Sequence, residues 1–107
     1  MDSFKGLTES MFYVLMALYE KETFGIEIVE FITQVSNGRV PMGPGTLYTI
    51  LSKFEKGKLI KEIAVDGRKR TYRITNLGRQ VFEEEIIRLK EVLETAERVK
   101  KYVENKD

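Results

Sequence analysis

Four basic side chains, Arg68, Lys69, Arg70 and Arg73, crowd into one short stretch whose only neighbouring acid in the sequence is Asp66. Cations at that density can hold the phosphates of a polyanion, or they can guard a strand edge against aggregation. Upstream, Gly43-Pro44-Gly45-Thr46 leads into an apolar-periodic segment. Free N–H groups at a helix start suit a phosphate, and two glycines let a backbone approach closely. The same four residues also make an ordinary turn and N-cap. They do not form GxGxxG, and no Lys-Ser/Thr follows, so a nucleotide-cradling loop is excluded. The 107 residues include no His and no Cys, which removes imidazole bases, thiol nucleophiles, zinc fingers and disulfides together. Glu83-Glu84-Glu85 fans around a helix over about 200° and does not converge. The chain reads as a non-enzyme, with no pattern for a metal or a cofactor.

The formal net charge of +1 conceals a segregation. Residues 1–38 hold two bases against six acids, residues 39–74 nine against three, and residues 75–107 seven against eight. A basic middle third between two mildly acidic ends points to one surface that attracts a polyanion; the plainer reading is a solvated face. The longest apolar run, Met11 to Tyr19, is about half a bilayer span, and no secretory signal pattern opens the chain. A cytoplasmic location is the expectation, with no membrane partner.

The elements that must position these residues follow from period and caps. Thr8 is an N-cap for a first helix to Glu20, with Met11, Val14, Leu15 and Leu18 at helical spacing. Lys21 to Phe24 reads as a polar link. Ile26, Ile28, Val29, Ile32 and Val35 build a second helix stopped by Ser36-Asn37-Gly38. After an extended Arg39–Met42, the residues Leu47, Ile50, Leu51 and Phe54 mark a third helix ending near Lys56-Gly57. Ile60 to Val65 and Lys69 to Ile74, joined through Asp66-Gly67-Arg68, form a hairpin. Tyr72 and Ile74 should pack inward. Thr75 caps a last helix running to about Glu104, a rod of roughly 42 Å that outreaches its body.

Helix, helix, helix, ribbon, long helix is the winged helix-turn-helix plan: mainly α with a small β-hairpin. The expected division is residues 1–75 as a DNA-binding unit and 76–107 as a dimerisation helix. Third helices of this plan enter the major groove while the hairpin touches the backbone. DNA contacts are therefore expected from Gly45, Thr46, Tyr48, Thr49, Ser52, Lys53, Lys56, Arg68, Lys69, Arg70 and Arg73. Tyr48 could instead pack under the hairpin. A second copy of the chain would cover Phe82, Ile86, Leu89, Val92, Leu93, Ala96, Val99 and Val103. The competing class is a winged-helix protein-interaction module that does not bind DNA itself.

Over about residues 7–78 the chain resembles the PadR family of transcriptional regulators. Gly43-Pro44-Gly45-Thr46-Leu47-Tyr48 carries the most specific match. Leu51, Phe54-Glu55, Leu59-Ile60, Gly67-Arg68, Tyr72, Ile74-Thr75 and Gly78 continue it. Lys58 stands at the usual glycine position, Phe24-Gly25-Ile26 stands where His-Gly-Tyr is frequent, and Thr71 replaces the first of two aromatics. The resemblance implies a homodimeric DNA-binding repressor acting on a palindromic operator and released by an effector. It also implies an interface between first and last helices where Phe12, Tyr13, Leu89 and Val92 either line a cavity for a small aromatic effector or form filled dimer core.

Overall fold

The computed structural model describes residues 6–106. Their elements are α1 (Glu9–Glu20), β1 (Thr23–Phe24), α2 (Gly25–Val35), α3 (Pro44–Lys56), β2 (Ile60–Asp66), β3 (Lys69–Ile74) and α4 (Asn76–Glu104). The architecture is mainly helical with one small antiparallel sheet and a long C-terminal helix. Thr8 starts α1 by accepting the Met11 N–H at 3.1 Å, and Thr75 starts α4 by accepting the Gly78 N–H at 3.0 Å.

Two helices end in the same way. At the end of α3 the Leu59 N–H reaches the Phe54 carbonyl at 2.9 Å and the Lys58 N–H reaches Glu55 at 3.0 Å. This is a Schellman closure, which requires a left-handed residue at its turn. Lys58 adopts it with φ +65°, a conformation that glycine would enter without steric cost. The wrap directs Leu59 into the core beside Phe54, both fully buried, and sends the chain straight into β2. Asn37 and Gly38 close α2 likewise, with the Gly38 N–H on the Thr33 carbonyl at 2.9 Å.

The sheet has the order β1-β3-β2. The polar link expected at Lys21–Phe24 thus contains a strand, because Thr23 and Phe24 pair with Tyr72 and Thr71. Strand β2 shifts register between Glu62 and Ala64, a bulge in the hairpin. Its two-residue loop is Gly67-Arg68, and Gly67 takes φ +64° at the first central position, where a primed hairpin turn needs glycine. Tyr72 and Ile74 point inward as their alternation predicts, and burial pushes the Tyr72 hydroxyl above its ordinary pKa of 10.0.

The core draws Val14, Leu15 and Leu18 from α1, Ile28 and Ile32 from α2, and Leu47, Leu51 and Phe54 from α3. Ile26 and Val35, counted with the apolar period of α2, are exposed instead. Ile26 lies about 200° round the helix from Ile28, off the Ile28–Ile32 stripe, whereas Val35 continues that stripe as the last residue of α2, at its exposed end.

Helix α4 has 29 residues and carries the molecule to 63 × 32 × 21 Å, with a radius of gyration of 16.4 Å. A compact chain of this length would have about 13 Å. Gly78, Phe82 and Glu85 are its buried residues. The packed body therefore reaches about three turns into α4, past residue 75. Gly78 is needed for close approach, since a Cβ there would overlap the Leu59 carbonyl oxygen and lie 2.6 Å from Ile74 Cγ1. That collision outweighs the helix propensity of alanine, about 1 kcal/mol. Gly78→Ala is expected to lower the unfolding free energy by about 2 kcal/mol in a urea titration.

Phe82, expected on the dimerisation stripe, packs within the protomer. Its ring stacks on Tyr19 at 4.4 Å and on Phe12 at 5.1 Å, and only 7% of the residue is exposed. The Tyr19 hydroxyl donates to Glu83 at 2.8 Å, a bond that raises its pKa and ties α1 to α4. From Ile87 to Lys106 every residue is exposed. Along that stretch Leu89, Val92, Ala96, Val99 and Val103 prolong the buried line of Gly78, Phe82 and Glu85 at alternating spacings of four and three. That spacing is the seam of a left-handed coiled coil.

Candidate nucleic-acid interface

Helix α3 buries Leu47, Ile50, Leu51 and Phe54, and the 3.6-residue period turns the remaining positions outward. Gly45, Thr46, Tyr48, Thr49, Ser52, Lys53 and Lys56 are all exposed. Gly43 caps the helix without a side-chain bond and Pro44 sits at its start, where a missing N–H costs nothing. The Thr49 hydroxyl donates to the Gly45 carbonyl at 3.0 Å, which leaves its oxygen lone pairs facing outward as acceptors. Lys53 and Lys56 lie in the last turn, where the helix dipole favours cations.

The hairpin brings Arg68, Lys69, Arg70 and Arg73 to the surface, all exposed. Their neighbourhood holds acids that are distant in sequence, contrary to the expectation of Asp66 alone. Arg70 Nη1 lies 3.3 Å from Glu62 Oε1 across the hairpin, and Arg73 Nη1 lies 3.7 Å from Glu22 Oε2. The strand β1 accounts for the second pair, since pairing Thr23 with Tyr72 sets Glu22 next to Arg73. Lys69 Nζ stands 4.3 Å above the Phe24 ring. Among the described residues Arg68, at the tip, has no ion-pair partner.

Helix and ribbon meet at a slot of about 330 Å³ bordered by Tyr48 and Leu51 from α3, Arg68 and Arg70 from the hairpin, Phe24 from β1 and Ile26 from the first turn of α2. Tyr48 does not pack under the hairpin; it is 54% exposed, and its hydroxyl lies 3.7 Å from where a Cβ on Gly25 would stand. Sequence reasoning missed Phe24 and Ile26 as neighbours of this surface. In the sequence Phe24 falls in the polar link and Ile26 in the apolar period of the second helix; the Phe24-Gly25-Ile26 triplet is the local signal that joins them.

Residues 14–84 match the Transcriptional regulator PadR-like family. This chain belongs to that family. A Lysinibacillus sphaericus protein is 29% identical to it over 97 residues, covering 87% of each chain. A transcriptional regulator from Clostridium thermocellum shares the fold with a TM-score of 0.74 at 23% identity, over 83% of this chain and 87% of the other. A PadR family transcription regulator from Clostridium difficile superposes with a TM-score of 0.73 at 18% identity, over 86% and 98%. The PadR assignment is that of a regulator and not of an enzyme. In keeping with it, Glu83, Glu84 and Glu85 go separate ways. Glu83 accepts from Tyr19, Glu84 from Gln80, and the buried Glu85 from Arg88 at 2.6 Å. Among the described residues no helix of this PadR-family chain is long and apolar enough to cross a membrane.

Proposed function

We propose that this chain is an effector-responsive cytoplasmic repressor that binds a palindromic operator as a homodimer. The observation that carries the reading is the shared slot. Tyr48 of α3 and Arg68 and Arg70 of the hairpin border one depression, so helix and wing form one continuous surface for one stretch of duplex. Thr46, Tyr48, Thr49 and Ser52 read base edges, with Gly45 allowing the backbone to come close. Lys53, Lys56, Arg68, Lys69, Arg70 and Arg73 hold phosphates and set orientation.

The dimer forms along the outer seam of α4, through Leu89, Val92, Ala96, Val99 and Val103 with Ile86 and Leu93 beside them. Burying half a dozen such side chains is worth several kcal/mol at about 25 cal/mol per Å². A small aromatic effector would lie against Phe12, Tyr13, Leu89 and Val92, where a change in how the two rods meet alters the spacing of the recognition helices.

The test is selection of bound sites from random DNA followed by titration at several salt concentrations. The log of the binding constant should fall by about 0.9 per log unit of salt for each phosphate neutralised. Replacing Arg68 and Arg70 together by alanine flattens that slope; an unaltered slope takes the wing off the DNA.

The ion pairs add a second expected result. Glu62→Gln and Glu22→Gln release Arg70 and Arg73 from internal partners, so each variant binds DNA more tightly and with a steeper salt dependence. Exposed pairs are worth about 0.2–1 kcal/mol, so the gain is about 1.4- to 5-fold. Fluorescence anisotropy at two ionic strengths measures both effects.

A further inference from the structure

Ile26 stands apart from the other residues of this surface. It is 67% exposed in the first turn of α2, on the side away from the buried Ile28 and Ile32. A lone exposed isoleucine needs no explanation. This one faces the slot that Tyr48 also borders, and the hydroxyl of Tyr48 lies over the adjoining Gly25. Two exposed apolar groups thus share a depression whose rim carries Arg68, Lys69 and Arg70. Phe24, which also lines it, is held under Lys69.

We infer that this slot clasps the C5-methyl of a thymine, with Ile26 and Tyr48 as its two jaws and Arg68 and Arg70 on an adjacent phosphate. The inference rests on the DNA-binding reading above and adds to it the group that is recognised. The rim charges select a polyanion, which disfavours a neutral or basic partner for the same apolar surface. Within a duplex the jaws restrict the choice further. Isoleucine offers only C–H groups and can pair with no donor or acceptor of a base edge. Of the groups in the major groove, the thymine methyl is the one that gains from such contact. The slot therefore reads one thymine per half-site by shape, beside whatever hydrogen bonds Thr46, Thr49 and Ser52 make.

Deoxyuridine removes that methyl and nothing else, which supplies the test. In the site selected from random DNA each thymine is replaced in turn by deoxyuridine. Affinity is then measured for the wild type, Ile26→Ala and Ile26→Val at one salt concentration. The wild type should lose about four-fold at one thymine of each half-site, the worth of one buried methyl. Ile26→Ala should show no penalty there, with the salt slope of the wild type, and Ile26→Val should recover most of it. The side chain is largely exposed, so these variants keep the fold, and a thermal midpoint equal to that of the wild type verifies this. The inference is overturned if the wild type binds its site but is indifferent to every replacement. It is equally overturned if the sensitive thymine keeps its full penalty in Ile26→Ala. A wild type that enriches no DNA sequence removes the DNA-binding reading itself, a different result from either.

Discussion

Val92→Glu combined with Val99→Glu yields a protein that sediments as a monomer at micromolar concentration and binds its operator about a hundred-fold more weakly, or worse. The two valines lie seven residues apart on the outer seam of α4, at 53% and 57% exposure, beyond Glu85, the last buried residue of that helix. In the single chain they touch solvent, so the substitutions leave folding intact and even improve solubility. In the proposed dimer they face their equivalents, and four carboxylates in an apolar seam repel one another and must be desolvated. Monomers retain a single half-site each. Linking two weak binding modules typically raises affinity by about 10²–10⁴, and that gain disappears with the interface. A double variant that remains dimeric in sedimentation contradicts the assignment of the seam.

Phe82→Ala acts on the same helix and is expected to do the opposite. Truncating a buried phenylalanine costs about 3–5 kcal/mol, because the cavity adds to the lost burial. Here it also removes the stack that joins Phe12 and Tyr19 of α1 to α4. Urea unfolding at fixed protomer concentration should show the full loss, while protein well below the transition stays dimeric and binds DNA. The concentration must be held constant because association contributes to the apparent stability of a dimer. If Phe82→Ala instead gives a stable monomer, the ring belongs to the interface and the packing against α1 is secondary. The two variants together divide α4 into a part that builds the protomer and a part that builds the pair.

How much of this was visible beforehand depends on whether the deciding interactions are local. Thr8 and Thr75 as caps, Ser36-Asn37-Gly38 as a stop and the glycine of the hairpin turn act within four residues of themselves, and their elements lie where the sequence puts them. The strand β1 was invisible because two residues carry no period; Thr23 and Phe24 are extended only through pairing with residues near position 72. The partners of Arg70 and Arg73 were hidden for the same reason, since Glu22 reaches Arg73 through that pairing and Glu62 reaches Arg70 through a bulged register. The packing of Phe82 against α1 was hidden because the apolar line from Gly78 to Val103 is continuous. Where its buried half ends is set by the length of α1, a tertiary fact. Ile26 counts toward the apolar period of α2, but periodicity counts apolar residues without saying which of them face inward.

In the proposed complex the outer face of α3 lies against the bases of each half-site. The absence of native cysteine allows a direct measurement, because Ser52→Cys can carry an iron chelate that cuts DNA only within its short reach. Cleavage of the selected operator should fall in two patches about one helical turn apart, one in each half-site. Cleavage spread evenly along the duplex, or confined to its flanks, contradicts the account.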